Sequence, residues 1–415
     1  MVKFEKYVLN NGLKVIAHQD KSTPMAAFNV LYNVGSKDEH PEHTGMAHLF
    51  EHLMFEGSEN VKEFDVVLQN AGGENNAFTN NDITNYYLSL PVKNIETAFF
   101  IESDRMLKPA FSAEKLSTQK KVVVEEFKQS YLNQPYGDLM MLLREMAYTK
   151  HPYQWPTIGK NIEHIEKTQI QHVKEFFNKF YKPDNAVLAV AGNISPQRVF
   201  QFAEKWFGDL SQSKFNHREL PVEPEQFERR FRRVERDVPY DEIYIAFHMP
   251  DRLSDDYYGL DLISDILANG NSSRLYEKLI KGKQMFSEVN AWITGSLDPG
   301  MLVVSGRVPE NQSIIEAEKE LFHIIAELRE EKPSENELQK VKNKIRSVNA
   351  FANMSVLSKA MNLAYYEYLG DAALLNMQNQ KYFEVNTEDI QRLSNKYLRP
   401  EKASVLHYCK KQDSI

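Results

Sequence analysis

The chain has a single cysteine, Cys409, among its 415 residues. One thiol excludes an intramolecular disulfide, and its place near the C-terminus suits an inert side chain better than a nucleophile. No apolar run reaches the roughly 18 residues that a membrane-spanning helix requires. The opening residues Met1-Val2-Lys3-Phe4-Glu5-Lys6 lack the apolar core of a secretory signal. The expectation is a cytoplasmic protein, or a periplasmic one if an export signal has been removed. An excess of positive charge is missing as well, and a net charge of -8 disfavours nucleic acid as a partner. The one basic cluster, Arg229, Arg230, Arg232, Arg233 and Arg236, is interleaved with Glu225, Glu228, Glu235 and Asp237 and reads as a solvated connector and strand entrance. Neither nucleic acid nor a membrane is therefore an expected partner. The length exceeds what one core serves, so two or more domains are expected.

What the sequence does contain is His48-Leu49-Phe50-Glu51-His52. Residues three and four apart on a helix are neighbours, so His48 and His52 can turn ring nitrogens toward one ion, with Glu51 on the same face. Zinc takes His nitrogens at about 2.0 to 2.1 Å, and a catalytic site pairs three protein ligands with an open position for water. The surrounding residues Gly45-Met46-Ala47, Leu49-Phe50 and Leu53-Met54-Phe55 are largely apolar. Two imidazoles and a carboxylate in such a helix need a shared partner, because burying them unpaired costs several kcal/mol. The H-x-x-E-H order is the inverzincin signature. A third ligand can come from Val122-Val123-Val124-Glu125-Glu126, where spacing alone does not choose between Glu125 and Glu126.

Two similar halves are visible along the chain. The first runs to about Leu220, and residues 221–237, opening on Pro221-Val222-Glu223-Pro224, form an extended linker because each Pro disfavours helix in the residue before it. The second half occupies 238–415. Its strand Tyr244 to Met249 leads into a helical stretch, Tyr257 to Leu267, in which Gly259 stands where Gly45 stood and Leu262, Ser264 and Asp265 replace the ligands. Strands alternate with long helical stretches in both halves. The expected fold is α+β, each half a mostly antiparallel sheet covered by helices.

The blocks Leu9 to Ile16, Val34-Gly35-Ser36, His43 to Ser58, Gly72 to Thr79 with Asp82, Thr84, Tyr86 and Tyr87, Val122 to Glu126 and His151-Pro152-Tyr153 occur in this order. In them the chain resembles the pitrilysin/insulinase family of inverted-motif zinc metallopeptidases, in the short bacterial branch similar to mitochondrial processing peptidase subunits. The resemblance implies one zinc per chain held by His48, His52 and Glu126, with Glu51 as general base and acid. It implies homologous halves that face one another, and pairs of such chains closing clamshell-like around a chamber. It also places Asn76, Ala77 and Thr79 on an edge strand that pairs with a peptide substrate. One position departs from the family pattern: a Glu seven residues before the third ligand, supporting it from outside the ligand set, is Gln119 here.

A second departure lies in the other half. The resemblance places an Arg and, seven residues later, a Tyr in the segment Leu279 to Ser287, where they hold substrate and stabilise the oxyanion. Ile280 and Ser287 stand there instead, with Arg274 and Tyr276 nearby but out of register. The expected function is a zinc endopeptidase acting on peptides or unfolded segments, in a heterodimer whose homologous partner supplies the Arg and Tyr; a homodimer is the second choice. The alternative is a metal-binding subunit of a processing complex, with little activity alone.

Overall fold

The computed structural model describes residues 1–211 and 219–411. The first sheet contains β1 (Glu5–Val8), β2 (Lys14–Gln19), β3 (Met25–Tyr32), β4 (Glu74–Thr79), β5 (Thr84–Pro91) and β6 (Ala186–Gly192), in the order β1-β2-β6-β3-β5-β4. Only β2 and β6 run parallel. β6 reads Ala-Val-Leu-Ala-Val-Ala-Gly and is buried at every position, the pattern of a central strand covered on both faces.

The second sheet contains β7 (Arg230–Arg236), β8 (Asp241–His248), β9 (Glu288–Ile293), β10 (Met301–Val308) and β11 (Ala403–Lys410), in the order β7-β11-β8-β10-β9. Again one pair is parallel, β7 with β11. The order β2-β6-β3-β5-β4 in the first sheet is thus reproduced strand for strand. In both sheets, too, the second strand of the repeat leads to a helix, Met46–Leu53 after β3 and Asp256–Ala268 after β8. The sheets are mostly antiparallel and helix-covered, as the sequence implies.

Contacts divide the chain into two compact units. The first consists of Met1–Phe127, Trp155–Leu220 and Val348–Met377; the second of Lys128–Gln154, Pro221–Ser347 and Gln378–Ile415. Each unit therefore contains a segment distant in sequence. In the first, the helix Val356–Tyr368 packs on β3 and β6 through Ala360, Leu363 and Ala364, all fully buried. Lys359 on this helix meets Asp20 at 2.6 Å, both half-covered or better, and holds the Asp20 carboxyl well below the usual carboxylate range. In the second unit the helix Leu139–Ala147 packs on β8 and β11 through Leu142 and Leu143. Of the residues 221–237 expected as linker, 230–236 form the edge strand β7. Among the described residues no helix is long and apolar enough to cross a membrane.

Candidate metal centre

The motif helix Met46–Leu53 starts at Gly45, whose φ of 87° lies where L side chains are strained. A Cβ there would also come within 2.5 Å of the Ile158 carbonyl oxygen. Before the helix, Glu39 folds back so that its carboxylate accepts the Gly45 N–H at 2.9 Å and the Ala47 N–H at 2.8 Å. These are donors that a helix start leaves unsatisfied. Burial pushes the Glu39 carboxyl up to about 8, against the pull of those two donors. The apolar side of the helix is fixed by Leu49 and Phe50, both fully buried, with Phe50 4.2 Å from the Tyr181 ring and 5.3 Å from the Phe111 ring between centroids.

The other side of the helix carries His48, Glu51 and His52. The two imidazoles stand 4.8 Å apart at 90°. Facing them is Glu126 near the end of the helix Ala113–Phe127, which is anchored by Leu116, Val123 and Phe127. His48 Nε2 lies 3.7 Å from Glu126 Oε1, and His52 Nε2 lies 3.5 Å from Glu126 Oε2. Glu125, left open by spacing, is exposed. Among the described residues only His48, His52 and Glu126 bring three ligand atoms within 4.8 Å of one another. Ligands about 2.0 to 2.1 Å from a tetrahedral ion stand roughly 3.3 to 3.5 Å apart, so the two nitrogens and the carboxylate fit zinc in spacing and donor type. Burial lowers the His48 pKa to about 4, which leaves its ring neutral and able to ligate near pH 7. Contact with His52 keeps Glu126 below the usual carboxylate range.

Glu51 points beside this set. Its carboxyl is raised by burial, while Thr79 opposes the rise by donating its hydroxyl hydrogen to Glu51 Oε2 at 2.5 Å. Thr79 thus touches the Glu51 carboxylate, a contact that its expected placement on a substrate-binding strand did not reveal. Asn76 and Ala77 lie on the same strand β4, which is the edge of its sheet. The Ala77 N–H is directed away from β5 and donates to Asn76 Oδ1 at 2.8 Å. Gln119 Nε2 donates to Glu56 Oε1 at 2.5 Å, so its amide is held by a carboxylate just beyond the motif helix.

At the corresponding place in the second unit, Leu262 and Ile266 are fully buried. Asp265 meets Lys344 at 3.6 Å, a cation on a side chain where the first unit brings up a carboxylate. Ile280 packs on the apolar core. Ser287 lies against β10, its N–H donating to the Arg307 carbonyl at 3.0 Å. Arg274 is held by Glu337 through two bonds of 2.8 and 2.9 Å.

With fold and site in view, the class is that of a two-sheet metallopeptidase-like chain with a His-His-Glu cluster of metal-ligand type. The chain belongs to the insulinase family, peptidase family M16. The family model Insulinase (Peptidase family M16) matches residues 14–161, and Peptidase M16 inactive domain matches residues 167–345. Zinc protease PqqE of Helicobacter pylori is 27% identical over 414 residues, covering 97% of this chain and 92% of its own. The beta subunit of mitochondrial-processing peptidase from Saccharomyces cerevisiae is 29% identical over 211 residues, 50% of this chain and 45% of that one. The crystal structure of a protease from Helicobacter pylori superposes with a TM-score of 0.92 at 26% identity, over 99% of this chain and 100% of that chain.

Proposed function

We propose that this chain is a zinc-dependent endopeptidase that hydrolyses peptides or unfolded protein segments. The observation that carries the reading is the convergence of His48, His52 and Glu126 beside a Glu51 held by Thr79. When bound, zinc supplies Lewis acidity and lowers the pKa of water to about 7. Glu51 would take a proton from the attacking water and pass it to the leaving amine, so that one C–N bond is exchanged for one C–O bond and the proton is conserved. A pKa raised by burial suits the carboxyl to both halves of this transfer. The free edge of β4 offers the Ala77 N–H to an extended peptide, which would displace the Asn76 side chain and add itself as a strand. A lone thiol fits a reducing compartment, and the reading is of a cytoplasmic enzyme.

Full activity requires a homologous partner subunit that supplies an Arg and a Tyr. Ile280 and Ser287 offer neither group, and Arg274 is committed to Glu337, which supports supply in trans over substitution from within the chain. The same observation favours the second reading, a metal-binding subunit of a processing complex that is nearly silent alone. Cleavage of a quenched fluorescent peptide library separates the two, assayed with and without chelator and with and without a co-expressed homologous chain. Chelator-sensitive cleavage that rises at least tenfold with the partner is expected. Full zinc occupancy in both Glu126→Gln and His52→Ala would sink the ligand assignment, and equal activity without a partner would remove the need for the pair.

A further inference from the structure

The first unit holds a second group of imidazoles, away from the three ligands. His43 N–H donates to the His40 carbonyl at 2.8 Å, closing a turn through Pro41 that brings the two rings to 6.0 Å between centroids. His172, in the first turn of the helix Ile170–Phe180, stands 4.5 Å from the His43 ring. The three line a cavity of about 200 Å³ together with Glu175 and Met46.

His43 Nδ1 is buried and has no hydrogen-bond partner, a condition that proteins rarely leave unanswered. Burial and the two neighbouring rings hold the His43 imidazole below its usual value, so it is neutral with a lone pair available. His40 Nδ1 and His172 Nδ1 each accept a backbone N–H, from Glu42 and Gln169, at a long 3.3 Å. Ligation through Nε2 requires the ring proton to move to Nδ1, which gives up these long contacts, turns each ring away from its backbone N–H and leaves Nε2 with a free lone pair.

Two imidazoles bound to one ion at about 2.0 to 2.1 Å place their centroids roughly 4.5 to 5.2 Å apart. His43 and His172 already stand at that separation, much like His48 and His52 at 4.8 Å. The three rings do not yet bring three nitrogens within 4.8 Å of one another, so His40, an exposed side chain on a turn, has to swing toward the other two for the set to close. Imidazole nitrogens suit zinc, copper and nickel.

We propose that His40, His43 and His172 form a second site for a divalent late-transition-metal ion, with zinc as the ion tested. The ion ties the turn that precedes Gly45 to the helix Ile170–Phe180, and so fixes the segment from which the motif helix starts. Its role is to hold this segment, and the site stands whether or not the first centre takes zinc.

Equilibrium dialysis of the chelator-stripped full chain against zinc, read by metal analysis, tests this. The wild type is expected to take two ions per chain, and the His43→Gln/His172→Gln double variant one. His52→Ala is expected to retain the second ion. Because His40 is exposed, His40→Ala leaves the fold intact and weakens the second site by about tenfold or more. A single ion in the wild type that the double variant retains overturns the proposal. So do two ions in a folded double variant, or an unchanged second affinity in His40→Ala. If His52→Ala keeps two ions while the double variant loses one, the first centre is misassigned and this site stands.

Discussion

Replacing Glu51 by Gln removes the proposed proton carrier and leaves both imidazoles and Glu126 in place. Glu51→Gln is expected to keep its zinc and to lose hydrolysis by a factor of about 10² to 10⁴; substantial turnover in a preparation free of other proteases would take Glu51 out of the mechanism. Thr79→Val deletes one hydrogen bond to the same carboxyl and should lower kcat about tenfold at unchanged metal content. Glu39 gives a stability signature. Its folded value of about 8 lies above the ordinary 4.5, so the folded chain holds the proton more tightly and stability falls as pH rises through that window. His48 acts in the opposite sense: its folded value of about 4 lies below 6.5, and stability falls as pH drops through that range. Comparing Glu39→Gln with the wild type by denaturant unfolding in chelator cancels the His48 contribution. The variant should gain on the wild type from pH 5 to pH 8, and a pH-independent gap would show that Glu39 is ionised throughout. His48, Glu51 and His52 were legible because helical spacing puts them on one face. Glu126 was legible only through the family resemblance, since spacing left Glu125 open. Glu39 was not legible, because its partners are backbone N–H groups, which leave no mark in the side-chain pattern.

At the level of strands and helices, the free edge of β4 makes a prediction. The Ala77 N–H takes no part in pairing with β5, and Pro is tolerated on an edge strand where the N–H faces outward. Ala77→Pro should therefore leave thermal stability within a few degrees of the wild type and reduce kcat/KM for peptides about tenfold or more. A normal kcat/KM would mean that the substrate strand docks elsewhere. β8 was legible in the apolar run Tyr244 to Met249. β7 was not. Its Arg-Phe-Arg-Arg-Val-Glu-Arg run is mostly exposed and reads as a connector. On a sheet edge such charges stay hydrated while the backbone pairs with β11, so polarity says nothing about strand formation there, and charged edges also discourage unwanted pairing. The helix Asp256–Ala268 was legible as a counterpart of the motif helix, whereas its Asp265–Lys344 pair was not, because Lys344 arrives from a distant helix.

For the molecule as a whole, the scaffold of the metal centre rests on apolar anchors rather than on the ion. Leu49, Phe50, Val123 and Phe127 are buried in the apolar interior beside the cluster. Chelation should therefore abolish hydrolysis while far-ultraviolet circular dichroism stays unchanged and Tm falls by about 5 °C, the linkage of a ligand that binds only the folded state. Collapse of the helical signal on chelation would show the opposite order of dependence. The two-sheet organisation could be anticipated from repeated strand and helix blocks. The exchange of segments between units could not, because the residues of Val356–Tyr368 name no partner strand until tertiary packing decides.

That exchange sets a timetable for biosynthesis. The helix that covers β3 and β6 belongs to the segment Val348–Met377, so the unit that carries the His-His-Glu cluster lacks part of its core until residue 377 has been translated. At about 5 to 20 residues per second, the wait between residue 220 and residue 377 is roughly 10 to 30 s. During that interval the nascent first sheet exposes the apolar surface that Ala360, Leu363 and Ala364 later cover, and the Lys359 that neutralises Asp20 has not yet been made. A peptidase assembled in this order remains incomplete on the ribosome, where unfolded polypeptide is most abundant.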